Sequence, residues 1–308
     1  MHSIQTLMDG LIDYAGLFPP ADLEMDSTVR NYAEYRAGSN DWMLSRLIVP
    51  VGRLEEFERR AADLLPISRD PASDDCWVIS ALTASVDHED FESHLAQIEA
   101  FNERHLPNGS GAVAVDTIEC RATDAAGIDR AFELLPDSIF PYFELDHRGD
   151  IRGQVAAMAG MDSGAKVRTG GVTPDAHPTP AELARFISVC ANAEVPFKAT
   201  AGLHHPLRHH AESVGCPQFG FLNVFVGAVL AWNGRCEEDV LVGILEAETL
   251  DGFQIEDDRI GFDGQHVALD QIAHARERFC HSYGSCSFLE PLEDLLGLKL
   301  LSADSAGS

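Results

Sequence analysis

GAKVRTGG, residues 164–171, is followed by the helix-like stretch PAELARFISVCANAE (180–194) and then by VPFKATAG, residues 195–202. Both apolar runs are short, both carry a lysine, and both end in a turn containing glycine. Two such runs separated by one amphipathic helix read as parallel strands joined by a crossover. The same unit recurs upstream. LIDYAGLF (11–18) precedes STVRNYAEYRA, SRLIVPV (45–51) precedes RLEEFERRAADLL, and CWVISALTA (76–84) precedes EDFESHLAQIEAFNER. GAVAVDTIEC (111–120) precedes DAAGIDRAFELL, SIFPYFELD (138–146) precedes IRGQVAAMAGM, and VPFKATAG precedes FGFLNVFVGAVLAW. Units repeating at intervals of roughly 30 residues point to a closed parallel barrel rather than an open sheet. No GxGxxG follows the first strand, which argues against a dinucleotide-binding sheet. The reading is an α/β protein, a (β/α)8 TIM-like barrel.

The end of the pattern is less regular. DVLVGILEAE reads as a helix, and FQIEDDRIGFDG reads as a β-hairpin with Asp257 and Asp258 in its turn. LDQIAHARERF is a further helix, HSYGSCSF (281–288) is the candidate eighth strand, and EPLEDLLGLKLL caps it. The hairpin is then an insertion before the last strand. No Gly/Ser-rich or Pro-rich linker divides the chain, so a single domain is expected over 1–301, with 302–308 a disordered tail.

Composition narrows the function classes. The 308 residues carry a formal net charge of −28, with an isoelectric point near 4.6. A field of that sign repels nucleic-acid phosphates and anionic membranes, so the expected partner is a small molecule. The sequence leaves a homo-oligomer open. Of the 22 basic residues only three are lysine, Lys166, Lys198 and Lys299. An acid-rich, lysine-poor surface matches cytosolic proteins of salt-loving microbes, in which salt screens self-repulsion. MHSIQTLMDG has no basic and apolar signal segment, and no apolar run reaches the roughly 18 residues of a membrane span. A cytoplasmic location is therefore expected. The seven cysteines are odd in number and contain no CxxC pair, which suits reduced core residues.

Functional groups of such barrels come from the C-terminal ends of the strands. Those ends offer Asp13 on strand one, Asp116 and Glu119 on strand four, Glu144 and Asp146 on strand five, and Lys166, Arg168 and Thr169 on strand six. Strand seven offers Lys198 and Thr200, followed by His204 and His205, and strand eight offers Ser285, Cys286 and Ser287. Side chains at i and i+2 share a face, so Lys166 points with Arg168 and Lys198 with Thr200. Buried cations demand acidic partners, an anionic substrate, or a neutral amine. A neutral amine is the nucleophile that forms a Schiff base with a carbonyl, and arginine cannot replace it. That is a chemical reason for two lysines to persist where others are gone.

AKVRTGG and VPFKATAGL resemble the sixth- and seventh-strand signatures of class I aldolases of the deoxyribose-phosphate aldolase type. The resemblance implies Lys166 as the Schiff-base residue and Lys198 as the lysine that tunes it. Arg168 stands where that family carries a small hydroxyl residue, and HHPLRHH replaces its glycine-rich phosphate-binding turn. Schiff-base chemistry is thus implied, and a phosphorylated substrate is not.

The expected catalytic set is Lys166, Lys198, Glu144 and Asp116, with Arg168, Thr169, Thr200, His204, His205, Asp13 and Ser285 around a small anionic carbonyl compound. No cofactor is called for. Two other readings remain open at this point. One is a metal-dependent hydrolase or lyase using His204 and His205 with Glu144 or Asp146. The other is a non-catalytic barrel that captures a small anion.

Overall fold

The computed structural model describes residues 1–66, 76–105 and 113–302. Residues 303–308, most of the expected tail, lie outside the described residues. Seven strands come first: β1 (Ile12–Tyr14), β2 (Leu44–Pro50), β3 (Trp77–Leu82), β4 (Val113–Arg121), β5 (Phe140–Glu144), β6 (Gly164–Arg168) and β7 (Phe197–Thr200). Then follow β8 (His209–Ala211), β9 (Cys216–Gln218), β10 (Phe253–Ile255), β11 (Arg259–Phe262), β12 (Gln265–Ala268) and β13 (Cys280–Ser285). β1 to β7 and β13 form a closed, all-parallel barrel in which β13 pairs with both β7 and β1. HSYGSCSF thus supplies the eighth barrel strand.

Alternation along the strands explains both faces. On β6, Ala165 and Val167 are fully buried among the surrounding helices, and Lys166 and Arg168 take the intervening positions. β7 repeats the pattern with Phe197 and Ala199 outside and Lys198 inside. Phe197 packs on Phe186, Phe225 and Phe279, with ring centroids 5.1–6.2 Å apart. Burying one such ring contributes about 2–3 kcal/mol, which fixes the strand that carries Lys198. The helix Pro180–Asn192 between the two strands starts on a capping box, with Thr179 accepting from the Glu182 amide and Glu182 accepting from the Thr179 amide.

Helix Phe221–Trp232 is apolar on all sides because neighbouring helices cover it; Phe221 to Leu230 are all buried. Its buried Asn223 donates to the carbonyls of Ile244 and Ala247, 2.6 and 2.8 Å away. No helix among the described residues is long and apolar enough to cross a membrane.

Four local features differ from the sequence reading. β1 spans three residues rather than eight, and the chain turns from Gly16 onwards. The expected hairpin has a third strand, β12, whose mainly polar sequence hides its pairing with β11. The stretch after β7 folds back as the β8–β9 hairpin. That return seats Gly220 on Leu207, where an added Cβ would lie 2.3 Å from the Leu207 backbone, so only glycine fits. Finally, His2–Met8 form a helix tied to the β10–β11 turn through Ser3 N and Asp257 O, 3.1 Å apart.

Candidate active site in the barrel lumen

The lumen of this barrel is charged. Register places Glu144 beside Lys166, Lys166 beside Lys198, and Lys198 beside Ser282 on four successive strands. Lys198 Nζ donates to Asp13 Oδ2 at 2.6 Å and to Glu119 Oε1 at 2.7 Å. Lys166 Nζ lies 2.6 Å from Glu119 Oε2 and 3.1 Å from Glu144 Oε2. One carboxylate, that of Glu119, therefore bridges both amines. Ser80 donates to Glu119 Oε1 at 2.8 Å, Ser282 donates to Asp13 Oδ2 at 2.6 Å, and the Arg46 amide donates to Asp13 Oδ1 at 3.0 Å. The Tyr142 ring lies under Lys198 Nζ, 5.3 Å from its centroid.

Burial opposes every charge here, and the partners decide the outcome. Burial alone would raise the carboxyl pKa of Glu119; Lys166 and Lys198 override it and hold the pKa far below the ordinary range. Glu144 is likewise lowered against its burial, by Lys166 and then Arg168. Desolvation works against the Lys198 ammonium, but Asp13 and Glu119 more than offset it, and its pKa stays above the usual value. Lys198 is thus a fixed cation, with a side chain 0% exposed. Lys166 is 5% exposed and adjoins Glu144 and the half-exposed Arg168, which stand at the C-terminal strand ends. Of the two lysines, Lys166 is the one that contacts Glu144.

The turns after the lysine strands meet. An added Cβ on Gly170 would fall 2.9 Å from Gly202 Cα, and Gly202 sits at φ +79°. This close approach is the physical basis of the glycines in both motifs. Thr169 serves the same junction, donating to the carbonyls of Thr200 and Ala201 at 3.2 and 2.5 Å, so its hydroxyl is committed to the backbone. Thr200 faces the lumen, where its Oγ1 would lie 3.2 Å from a Cβ on Gly284.

Other expected site residues take different places. Asp116 does not join the lysines. β3 pairs Ile79 with Val115 and Ser80 with Thr117, so Asp116 is the extra residue of a β-bulge. Its carboxylate instead receives both arms of Arg46, at 2.8 and 2.7 Å. Glu119, three residues on, is the strand-four carboxylate in contact with both amines; the sequence reading named both residues at that strand end and placed Asp116 in the catalytic set. Asp13 is fully buried and its carboxylate takes three donors from the protein itself. Ser285 Oγ donates to the Ser287 carbonyl at 2.6 Å, and burial pushes the Cys286 thiol pKa up, away from the thiolate form.

The histidine loop faces the last helix, Leu289–Gly297, rather than the acidic strand ends. His204 Nδ1 is 3.2 Å from Glu290 and His205 Nδ1 is 2.6 Å from Asp294. Among the described residues no group of three or more His, Cys, Asp or Glu side chains is arranged to hold a metal ion. The metal reading, which required Glu144 or Asp146 beside these histidines, does not have that geometry.

The other end of the barrel is also polar. A cavity of about 350 Å³ is lined by residues at the strand starts, among them Arg46, Asp116, Thr117, Tyr142 and His281. His281 Nε2 donates to the Glu277 carbonyl at 3.2 Å, so its Nδ1 accepts from the Tyr142 hydroxyl at 2.5 Å. Burial and the nearby Arg276 lower the His281 pKa to about 4.

Sequence reasoning missed Ser80, Tyr142, Ser282, Arg46 and Arg121 as parts of the lumen. Parity could have found Arg121, which shares a strand face with Glu119. Nothing local marks the two serines, which matter only through partners on distant strands. No protein-family model and no curated protein matches the chain, so its function is read from the site itself.

Proposed function

We propose that this protein is a Schiff-base enzyme, a lyase of the aldolase kind, acting on a small anionic carbonyl compound with Lys166 as the nucleophile. The observation that carries the reading is the pair of lysines on one buried carboxylate, of which Lys166 also contacts Glu144. Lys166 first passes a proton to Glu144, the carboxylate in contact with it towards the mouth. Its nitrogen then attacks the carbonyl carbon, an N–C bond forms, and the oxygen leaves as water after taking up two protons. The resulting iminium takes the electron pair of the Cα–Cβ bond and becomes an enamine, while the β-hydroxyl gives its proton to a carboxylate and the β-carbon leaves as a second carbonyl compound; protonation of the enamine carbon and hydrolysis of the imine return the amine. Lys198 keeps a fixed positive charge beside the reacting nitrogen, and Glu144 moves protons at the mouth. Arg168 holds the substrate's anionic group.

The test compares Lys166→Arg with Lys198→Arg. Both keep the charge, and neither new guanidinium can form an imine. Incubation with pyruvate and cyanoborohydride should add a reduced adduct to the wild type. Lys166→Arg should form none while melting normally, and Lys198→Arg should still form it, more slowly. Adduct in Lys166→Arg together with none in Lys198→Arg would move the nucleophile to β7. Absence of adduct in the wild type with any carbonyl probe would leave the anion-capturing barrel.

A further inference from the structure

The charges of the lumen do not cancel. Asp13 and Glu119 match Lys198 and Lys166, which leaves Glu144 to face the groups at the rim. Arg168 is one of them, its Nε 3.9 Å from Glu144 Oε1. Arg121 is another. It ends β4 two residues after Glu119, so it leaves the strand on the lumen face. It pairs in register with Glu144, the direct neighbour of Lys166. Its side chain has no hydrogen bond or ion pair among the described residues, although the chain carries 50 acidic residues against 22 basic ones. Arg121 and Arg168 thus flank Glu144 from β4 and β6, and the set holds one more positive than negative group.

We infer that Arg121 and Arg168 form a two-arginine clamp over Lys166 for a substrate with a single carboxylate, a carbonyl monocarboxylate such as a 2-oxo acid. This rests on the Schiff-base reading of Lys166 for its covalent part and on the rim geometry for its binding part. One carboxylate neutralises the surplus and offers two oxygens to two guanidinium groups. A phosphate monoester, with a charge of about −1.5 to −2, would leave the site negative. Neither arginine touches the reacting nitrogen, so both act in binding.

The experiment measures reductive trapping and thermal melting in parallel for wild type, Arg121→Gln and Arg121→Lys. The probes are pyruvate, the neutral hydroxyacetone and the dianionic dihydroxyacetone phosphate. Arg121→Gln should raise the pyruvate concentration for half-maximal trapping about tenfold or more, the loss of one charge-assisted contact. It should leave hydroxyacetone within about twofold, and Arg121→Lys should recover part of the pyruvate loss. Equal weakening for pyruvate and hydroxyacetone would overturn the clamp, as would no change for either. Dihydroxyacetone phosphate trapped at lower concentration than pyruvate would overturn the single-charge assignment. If no probe gives an adduct but pyruvate raises the wild-type melting midpoint and not that of Arg121→Gln, the covalent reading falls and the clamp stands. If pyruvate gives neither adduct nor stabilisation, both fall.

Discussion

The two halves of the barrel lumen solve the burial of charge in different ways. Towards the strand starts, Arg46 and Asp116 form a bidentate pair, and Tyr142 and His281 form a neutral hydrogen bond. The one cation among those residues has one carboxylate, held through both oxygens. Towards the strand ends, Lys166 and Lys198 divide Glu119 between them, and Asp13 and Glu144 complete the chain. Arginine fits the first half, because a planar fork and a carboxylate make a rigid pair. An ammonium is a point charge that can be shared and can give up a proton, and those properties fit the second. A chain with nineteen arginines and three lysines places two of the three in this half. The lower half pairs its charges one to one; the upper half shares one carboxylate between two amines.

The sharpest way to break this contrast is to remove the shared carboxylate. Glu119→Gln leaves two buried amines with one counter-ion fewer, and uncompensated buried charge costs about 3–5 kcal/mol. Denaturant midpoints should fall accordingly. Arg168→Gln at the rim should stay within about 0.5 kcal/mol of wild type. Equal effects from both variants would deny that Glu119 is the centre of the network.

A somewhat smaller effect reports on the lower half. His281 has a folded pKa of about 4, below the ordinary value of 6.5. The unfolded chain therefore takes up a proton at this residue before the folded chain does. The contribution is present in full above pH 6.5 and is lost as pH falls towards 4, by roughly 3 kcal/mol in total. His281→Phe should flatten that part of the stability profile relative to wild type. An unchanged profile would place a protonated His281 in the folded barrel.

The smallest expected effect concerns the exterior. With a net charge of −28, the surface repels itself, and the screening length shortens to about 3 Å at 1 M salt. The melting midpoint of the wild type should rise between low and molar salt, while the lumen network, shielded from solvent, should contribute little to that rise. A flat or falling curve would remove the salt-adapted reading of the composition.

Much of this arrangement was legible in the sequence for a simple reason. The period-two alternation of AKVR and FKAT assigns apolar and charged residues to opposite faces without ambiguity, and their spacing makes the strands neighbours. The choice between Asp116 and Glu119 was not legible. Residues three apart cannot share a face of a regular strand, and the bulge at Asp116 is set by pairing with β3, which no local pattern reveals. β12 was hidden because only Val267 of its four residues is buried. The histidine loop suggested metal by composition; its actual partners, Glu290 and Asp294, lie more than 80 residues away in sequence.

In the proposed reaction the two lysines differ in role although they share a carboxylate. The most direct measurement is peptide mass mapping of the wild-type protein after trapping with pyruvate and cyanoborohydride. The expected result is a single reduced adduct on the peptide containing Lys166, with Lys198 and Lys299 unmodified. An adduct on Lys198, or one spread over all three lysines, would contradict it.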